Sequence, residues 1–177
     1  MKNSLIAITG ASSGIGKAIA EVFSQAGYKL LLLARRVDVL EQMALPNSIC
    51  RKLDVSDYHA FKTIIADVEK NIGPVTGLIN NAGIIKTGNY EEIDNADHQR
   101  IIDVNLKGVI NGCSAVLEFM RQRKSGTILN IGALNYLAIP SSAVYCASKD
   151  AVRSLTCHYG RNTPRKISEL DNCKSPG

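Results

Sequence analysis

A doubly wound α/β fold on a parallel sheet is what this sequence predicts, and three observations carry the prediction. Short apolar runs alternate with segments of helical periodicity along most of the 177 residues, the pattern of strands joined by right-handed helical crossovers. Several runs, Leu30-Leu31-Leu32-Leu33 above all, are apolar without interruption, which suits parallel strands buried on both faces. The first run, Leu5-Ile6-Ala7-Ile8, passes through Thr9-Gly10-Ala11-Ser12-Ser13-Gly14-Ile15-Gly16 straight into the helical pattern Lys17-Ala18-Ile19-Ala20-Glu21-Val22-Phe23.

The elements follow in order. Strand one covers about 4–9 and helix one about 14–26, ending near Gly27. Strand two runs from Tyr28 to Ala34, and a short helix over about 37–44 stops before Pro46. Strand three spans about 49–53, and the next helix spans about 57–71 with Ser56 as its predicted N-cap. Strand four runs from Val75 to Asn80. A long helix follows over about 96–122, its apolar face drawn by Ile101, Ile102, Val109, Ile110, Cys113, Val116, Leu117 and Met120. Strand five runs from Thr127 to Ile131, and a helix from about Ser142 to Tyr159 closes the pattern. No internal repeat interrupts it.

Composition narrows the function classes. With 45% hydrophobic and 21% charged residues, the chain reads as one soluble domain with a real core. No apolar stretch is long enough to span a membrane, and Met1-Lys2-Asn3-Ser4 enters a strand without a signal-peptide core. Cys50, Cys113, Cys146, Cys157 and Cys173 are odd in number and lack CxxC spacing, which reads as reduced thiols in a cytoplasmic protein with no metal site. The net charge of +5 is spread out, without an aromatic-basic stripe, so nucleic acid is not an expected partner.

Ligands of doubly wound sheets sit at the carboxyl ends of the strands, and every candidate site residue falls at such an end or on the final helix. Glycines belong where the backbone takes positive φ or approaches a ligand closely. A helix N-terminus offers unpaired N–H groups and a positive dipole end, which suits a pyrophosphate. Gly10, Ser12, Ser13, Gly14, Ile15 and Gly16 are therefore candidate dinucleotide contacts; the plainer alternative is a turn that only packs helix on strand. After strand two, an NAD(H) site is expected to carry an acid for the ribose 2′-hydroxyl. Arg35 and Arg36 stand there instead and offer a charged fork to a 2′-phosphate, hence NADP(H) in preference to NAD(H), unless they are simply solvated. Asp54 and Val55 follow strand three and suit the adenine edge, with a helix cap as the alternative for Asp54. In Asn80-Asn81-Ala82-Gly83, after strand four, the small Ala82 and Gly83 let a cofactor lie against the backbone, and the Asn81 side chain is placed to pin neighbouring strands. Tyr145 and Lys149, at i and i+4, share a helix face, where an ammonium favours the phenolate needed for proton transfer.

Taken together, these motifs, with Asn105 and Tyr145-Cys146-Ala147-Ser148-Lys149, make the sequence resemble the short-chain dehydrogenase/reductase family over about residues 4–156. The resemblance implies a Rossmann fold and hydride transfer between a nicotinamide cofactor and a carbonyl or alcohol. It implies that Tyr145 moves the proton, that Lys149 binds the nicotinamide ribose and depresses the tyrosine pKa, and that Asn105 holds a water in a proton relay. Relatives commonly pair through the long helix and the tyrosine helix, so a homo-oligomer is implied, weakened here by a shortened second helix.

Two departures stand out. The family carries a serine after strand five, where this chain reads Asn130-Ile131-Gly132-Ala133. Ala133 aligns with the serine and Gly132 is the alternative; neither has a hydroxyl. Ser141 and Ser142 are expected to belong to the start of the following helix. The family pattern is also lost near Cys157, so residues 1–157 read as an incomplete dinucleotide-binding and catalytic domain and 158–177 as an irregular tail. A sixth strand, a substrate-covering segment and a last strand are not found. Lys166-Ile167-Ser168-Glu169-Leu170 can be encoded so that another phase reads Asn-Ile-Arg-Val, like the start of the family's sixth strand, which makes a shifted frame the expectation for the tail. The two readings that follow are an NADP(H)-dependent oxidoreductase and a remnant that binds the cofactor without useful turnover.

Overall fold

The computed structural model describes residues 4–132 and 141–161, with side chains through His158. Five strands, β1 (Leu5–Thr9), β2 (Lys29–Ala34), β3 (Ser48–Lys52), β4 (Val75–Asn80) and β5 (Thr127–Asn130), form one sheet in the order β3-β2-β1-β4-β5. Every pairing is parallel. The chain winds outward from β1 to β3, then returns to place β4 on the other side of β1. That reversal opens the crevice used below.

The uninterrupted apolar runs are buried on both faces, as their pattern requires. Leu5, Ala7, Leu31 and Leu33 point to one face, where Phe61, Ile65 and Val68 of α3 (Tyr58–Asn71) and Val116 and Met120 of α5 (Gly108–Gln122) cover them. Ile6, Ile8, Leu30 and Leu32 point to the other, against Ala20 of α1 (Gly14–Gln25) and Leu40 of α2 (Val37–Gln42). No helix among the described residues is long and apolar enough to cross a membrane.

Four details differ from the sequence reading. The long helix is divided into α4 (Asn95–Ile102), a π-turn (Asp103–Lys107) and α5, which follow one another without a break. Ile110 lies 42% exposed, because one residue past the buried Val109 is about 100° round the helix. The cap of α3 is Asp57, whose carboxylate accepts from the Ala60 N–H, while Ser56 is turned toward Asp54. Finally, α6 (Ala143–Arg161) ends two residues beyond the expected Tyr159. A glycine inside a helix costs about 1 kcal/mol and does not stop it. The rest of the tail lies outside the described residues. Cys50, Cys113 and Cys146 carry free thiols.

An ion pair closes the end of the sheet opposite the crevice. Arg123 Nη1 donates to Glu69 Oε1 and Oε2 at 2.9 and 3.0 Å, and Glu69 Oε1 also accepts from the Val75 N–H at 3.0 Å. Arg123 donates in turn to the Val75 carbonyl. The ends of α3 and α5 are thereby tied to the first residue of β4. The Glu69 side chain is only 9% exposed, so removing its partner strands a charge. Arg123→Ala is expected to lower unfolding free energy by about 2–3 kcal/mol, below the range for a fully buried pair because Arg123 keeps some solvent contact. Urea denaturation checks this, and an unchanged midpoint would contradict it.

Candidate active site

A groove of about 450 Å³ crosses the carboxyl ends of the strands. Its floor is assembled from the predicted segments: Gly10, Ser12, Ser13, Gly14 and Ile15 after β1; Arg35 and Arg36 after β2; Asp54 and Val55 after β3; Asn81, Ala82 and Gly83 after β4; and Tyr145 and Lys149 from α6. Two predicted residues do not line it. Gly16 lies beneath the turn, where a Cβ would fall 2.4 Å from the Gly10 carbonyl oxygen and from Asn81 Nδ2; its glycine serves helix-on-strand packing. Asn105 is fully buried behind the groove.

Gly10 and Gly14 take φ of +67° and +54°, the left-handed region that favours glycine. The turn they form is fastened to β4. Thr9 Oγ1 donates to the Ile79 carbonyl at 3.4 Å and accepts from the N–H groups of Asn81 and Ala82 at 3.0 and 3.1 Å. Asn81 Nδ2 donates to the Thr9 and Gly10 carbonyls at 3.0 and 3.4 Å. Asn81 thus pins the strands, the role its side chain suggested in the sequence. At the outer lip, Arg36 Nη2 donates to Ser12 Oγ at 3.3 Å, bringing a cation and a hydroxyl together between the first two strand ends.

At the other end of the groove, Lys149 Nζ donates to the Ile131 carbonyl at 2.9 Å and stands 6.0 Å from the centroid of the Tyr145 ring. Burial pushes the Lys149 ammonium below its ordinary pKa. A Cβ on Gly83 would come within 3.4 Å of both Lys149 Nζ and Asn105 Oδ1, so the small residue leaves them room. Asn105 sits on the π-turn, a device common at functional sites. Its Oδ1 accepts from the Ile84 N–H at 2.8 Å, and its Nδ2 donates to the Ile84 carbonyl and Ser148 Oγ at 2.9 and 3.1 Å. Ser148 Oγ donates onward to the Tyr145 carbonyl at 2.6 Å. Both amide protons of Asn105 are spent within the protein, holding the segment after β4 and the helix that bears Tyr145.

Asp54 is more tightly held than its place after a strand suggested. Burial raises its pKa, but hydrogen bonds from Ser56 and Arg100 and the Arg100 charge outweigh that and hold it below the ordinary carboxylate range. Arg100 lines the groove and escaped the sequence reading, because nothing in its own neighbourhood marks it. Of the positions where the serine was sought, Gly132 lines the groove without a hydroxyl, and Ala133 lies outside the described residues. Ser141 and Ser142 directly precede α6, as expected, and line a second cavity of about 510 Å³ that also touches Tyr145.

Comparison with known proteins identifies the pattern. The short chain dehydrogenase family profile matches residues 4–167, further along the chain than the motifs alone reached. An uncharacterised oxidoreductase of Staphylococcus saprophyticus is 39% identical over 161 residues, which are 88% of this chain and 65% of the relative. A 2-(S)-hydroxypropyl-CoM dehydrogenase of Xanthobacter autotrophicus is 37% identical over 88% of this chain and 64% of its own length. The chain thus spans about two thirds or less of these curated relatives. An alcohol dehydrogenase from the archaeon Thermococcus sibiricus, complexed with 5-hydroxy-NADP, superposes with a TM-score of 0.84 at 30% identity, over 93% of this chain and 72% of that one.

The Thr9 hydroxyl can be tested by an isosteric change. Thr9→Val leaves the Asn81 and Ala82 N–H groups without their acceptor, and the expected loss is about 2 kcal/mol of stability. An unchanged melting temperature would contradict the part assigned to this clamp.

Proposed function

The chain belongs to the short-chain dehydrogenase family, and on that premise we propose that it is an oxidoreductase that uses NADP(H) to interconvert a small carbonyl compound and its alcohol. The observation that carries this reading is the single groove that holds a phosphate-suited turn, two arginines and the Tyr145–Lys149 pair along its length. The cradle fits a dinucleotide. Two positive-φ glycines and a helix N-terminus face one part of it, and the glycine at 83 keeps the other part open. Gly10, Ser12, Ser13, Gly14 and Ile15 would hold the pyrophosphate, Asp54 and Val55 the adenine, and Asn81, Ala82, Gly83 and Lys149 the nicotinamide half. When bound, the dinucleotide supplies or accepts the hydride.

The protein's part is proton handling and positioning. Tyr145 gives its phenolic proton to the substrate oxygen during reduction and recovers it during oxidation. The Lys149 ammonium stabilises negative charge on the tyrosine oxygen, and its bond to the Ile131 carbonyl fixes where that charge stands. Asn105 and Ser148 set the helix that carries both groups. Relatives named as oxidoreductases and dehydrogenases support this reading over a cofactor-binding remnant. For the cofactor, Arg35 and Arg36 support the 2′-phosphate form, as do solved neighbours that contain NADP. Pairing with a second copy through α5 and α6 completes the proposal, supported by the exposed Ile110 on α5.

Tyr145→Phe is expected to lower carbonyl reduction by about 10²–10⁴-fold while leaving cofactor binding intact; assay against ketones and aldehydes with NADPH checks it, and retained turnover would refute the role. Arg36→Ala is expected to weaken NADPH about tenfold, the loss of one charge-assisted contact, with NADH unchanged. Equal weakening of both in fluorescence titration would overturn the preference.

A further inference from the structure

Arg100 lies on α4, 46 positions from Asp54, yet the two meet at the floor of the groove. Arg100 Nη2 donates to Asp54 Oδ2, and Arg100 Nη1 donates to Ser56 Oγ at 3.0 Å. Ser56 closes the ring, giving both its N–H and its hydroxyl to Asp54 Oδ1 at 3.0 and 2.7 Å. The surrounding backbone is held as firmly. The Asp57 N–H donates to the Asp54 carbonyl at 3.0 Å, and Asn111 Nδ2, from α5, donates to the Val55 carbonyl at 2.9 Å.

Counting lone pairs shows what this cage leaves open. An ionised carboxylate is an acceptor only, with about two sites on each oxygen. Oδ1 is filled by its two Ser56 donors. Oδ2 carries Arg100 and has one site to spare. The Asp54 side chain is 35% exposed and lines the groove, so that remaining site is available to a ligand that brings one N–H donor. A ligand oxygen at the same place would meet lone pair against lone pair.

We propose that Arg100 is a positioning residue that sets purine specificity, orienting Asp54 so that its one open acceptor site takes the exocyclic amino group of adenine and rejects a 6-oxopurine. The proposal rests on the dinucleotide reading above. Two effects of Arg100 separate cleanly. Its charge offsets that of Asp54, which otherwise repels any anionic dinucleotide whatever its base. Its fork, with one nitrogen on Asp54 and one on Ser56, fixes the carboxylate plane, and that affects only a ligand with an amino group to place. Lysine reproduces the charge without the fork.

The test uses NADPH and its deaminated analogue, in which hypoxanthine replaces adenine, titrated against the full chain by fluorescence. The wild type is expected to favour the adenine form about tenfold or more, the worth of a hydrogen bond to a charged acceptor. Arg100→Ala is expected to weaken both forms and bring the ratio to within about threefold of unity. Arg100→Lys is expected to restore much of the affinity for both forms but not the ratio. Asp54→Asn keeps an amide oxygen toward Arg100 but is a neutral and weaker acceptor, and is expected to shrink the ratio without reversing it. The proposal is overturned by a wild-type ratio near one, or by variants that lose affinity for both forms equally with the ratio kept. Absence of binding of either form to the wild type defeats the dinucleotide reading itself, a result distinct from a lost ratio.

Discussion

The clamp between Thr9 and Asn81 is the constraint on which the site depends. β1 and β4 are neighbours in the sheet although some seventy residues separate them, and the helices that follow them, α1 and α5, cover opposite faces of the sheet, so the chain diverges at their carboxyl ends. A single threonine hydroxyl bridges that divergence, accepting from two N–H groups of the segment after β4 and donating to a β4 carbonyl. The Asn81 amide returns the connection to the glycine turn. Gly10 and Gly16 are small because this amide and the adjoining backbone occupy the space a side chain would need. The turn, the start of α1 and the segment leading to Gly83 are therefore one rigid piece. Every polar group assigned to a ligand is placed relative to it.

Charge is divided along the groove in a way that fits its proposed occupant. Cations stand free at the outer lip, where Arg36 reaches Ser12. In the middle, Asp54 and Arg100 neutralise one another. At the inner end, Lys149 is 5% exposed and has the Ile131 carbonyl as hydrogen-bond partner. Burial weakens the hold of Lys149 on its proton, and its ammonium stands 6.0 Å from the centroid of the Tyr145 ring. β5, which Ile131 directly follows, is an edge of the sheet among the described residues, and its apolar residues Ile128 and Leu129 are only half-buried. The inner end therefore rests beside a thinly covered edge strand.

Local chemistry explains what was legible in the sequence. Apolar runs and glycine placement mark strands and the phosphate turn because burial on both faces and positive φ each demand particular residue types. Tyr145 and Lys149 were legible because helix geometry links positions four apart. Contacts between distant segments leave no such trace. Arg100 reaches Asp54 only because the fold brings α4 beside the segment that follows β3. Asn105, on the π-turn, is bonded to Ile84, twenty-one positions away. Ser56 looked like a helix cap because serine suits one, but a carboxylate two residues back and a guanidinium from another helix compete for its hydroxyl, leaving the cap to Asp57. α6 continues past Gly160 to Arg161, since a lone glycine is only a modest cost to a helix already packed through Val152 and Leu155.

Thermal unfolding of the chain with and without each dinucleotide tests the central claim most directly. A ligand that binds only the folded state, present at a hundred times its dissociation constant, adds about 2.7 kcal/mol, or roughly 5–10 °C for a chain of this size. The account predicts a rise of that order with NADPH and a smaller one at the same concentration of NADH. No rise with either would mean that the groove does not hold a dinucleotide, and the functional reading would fall with it.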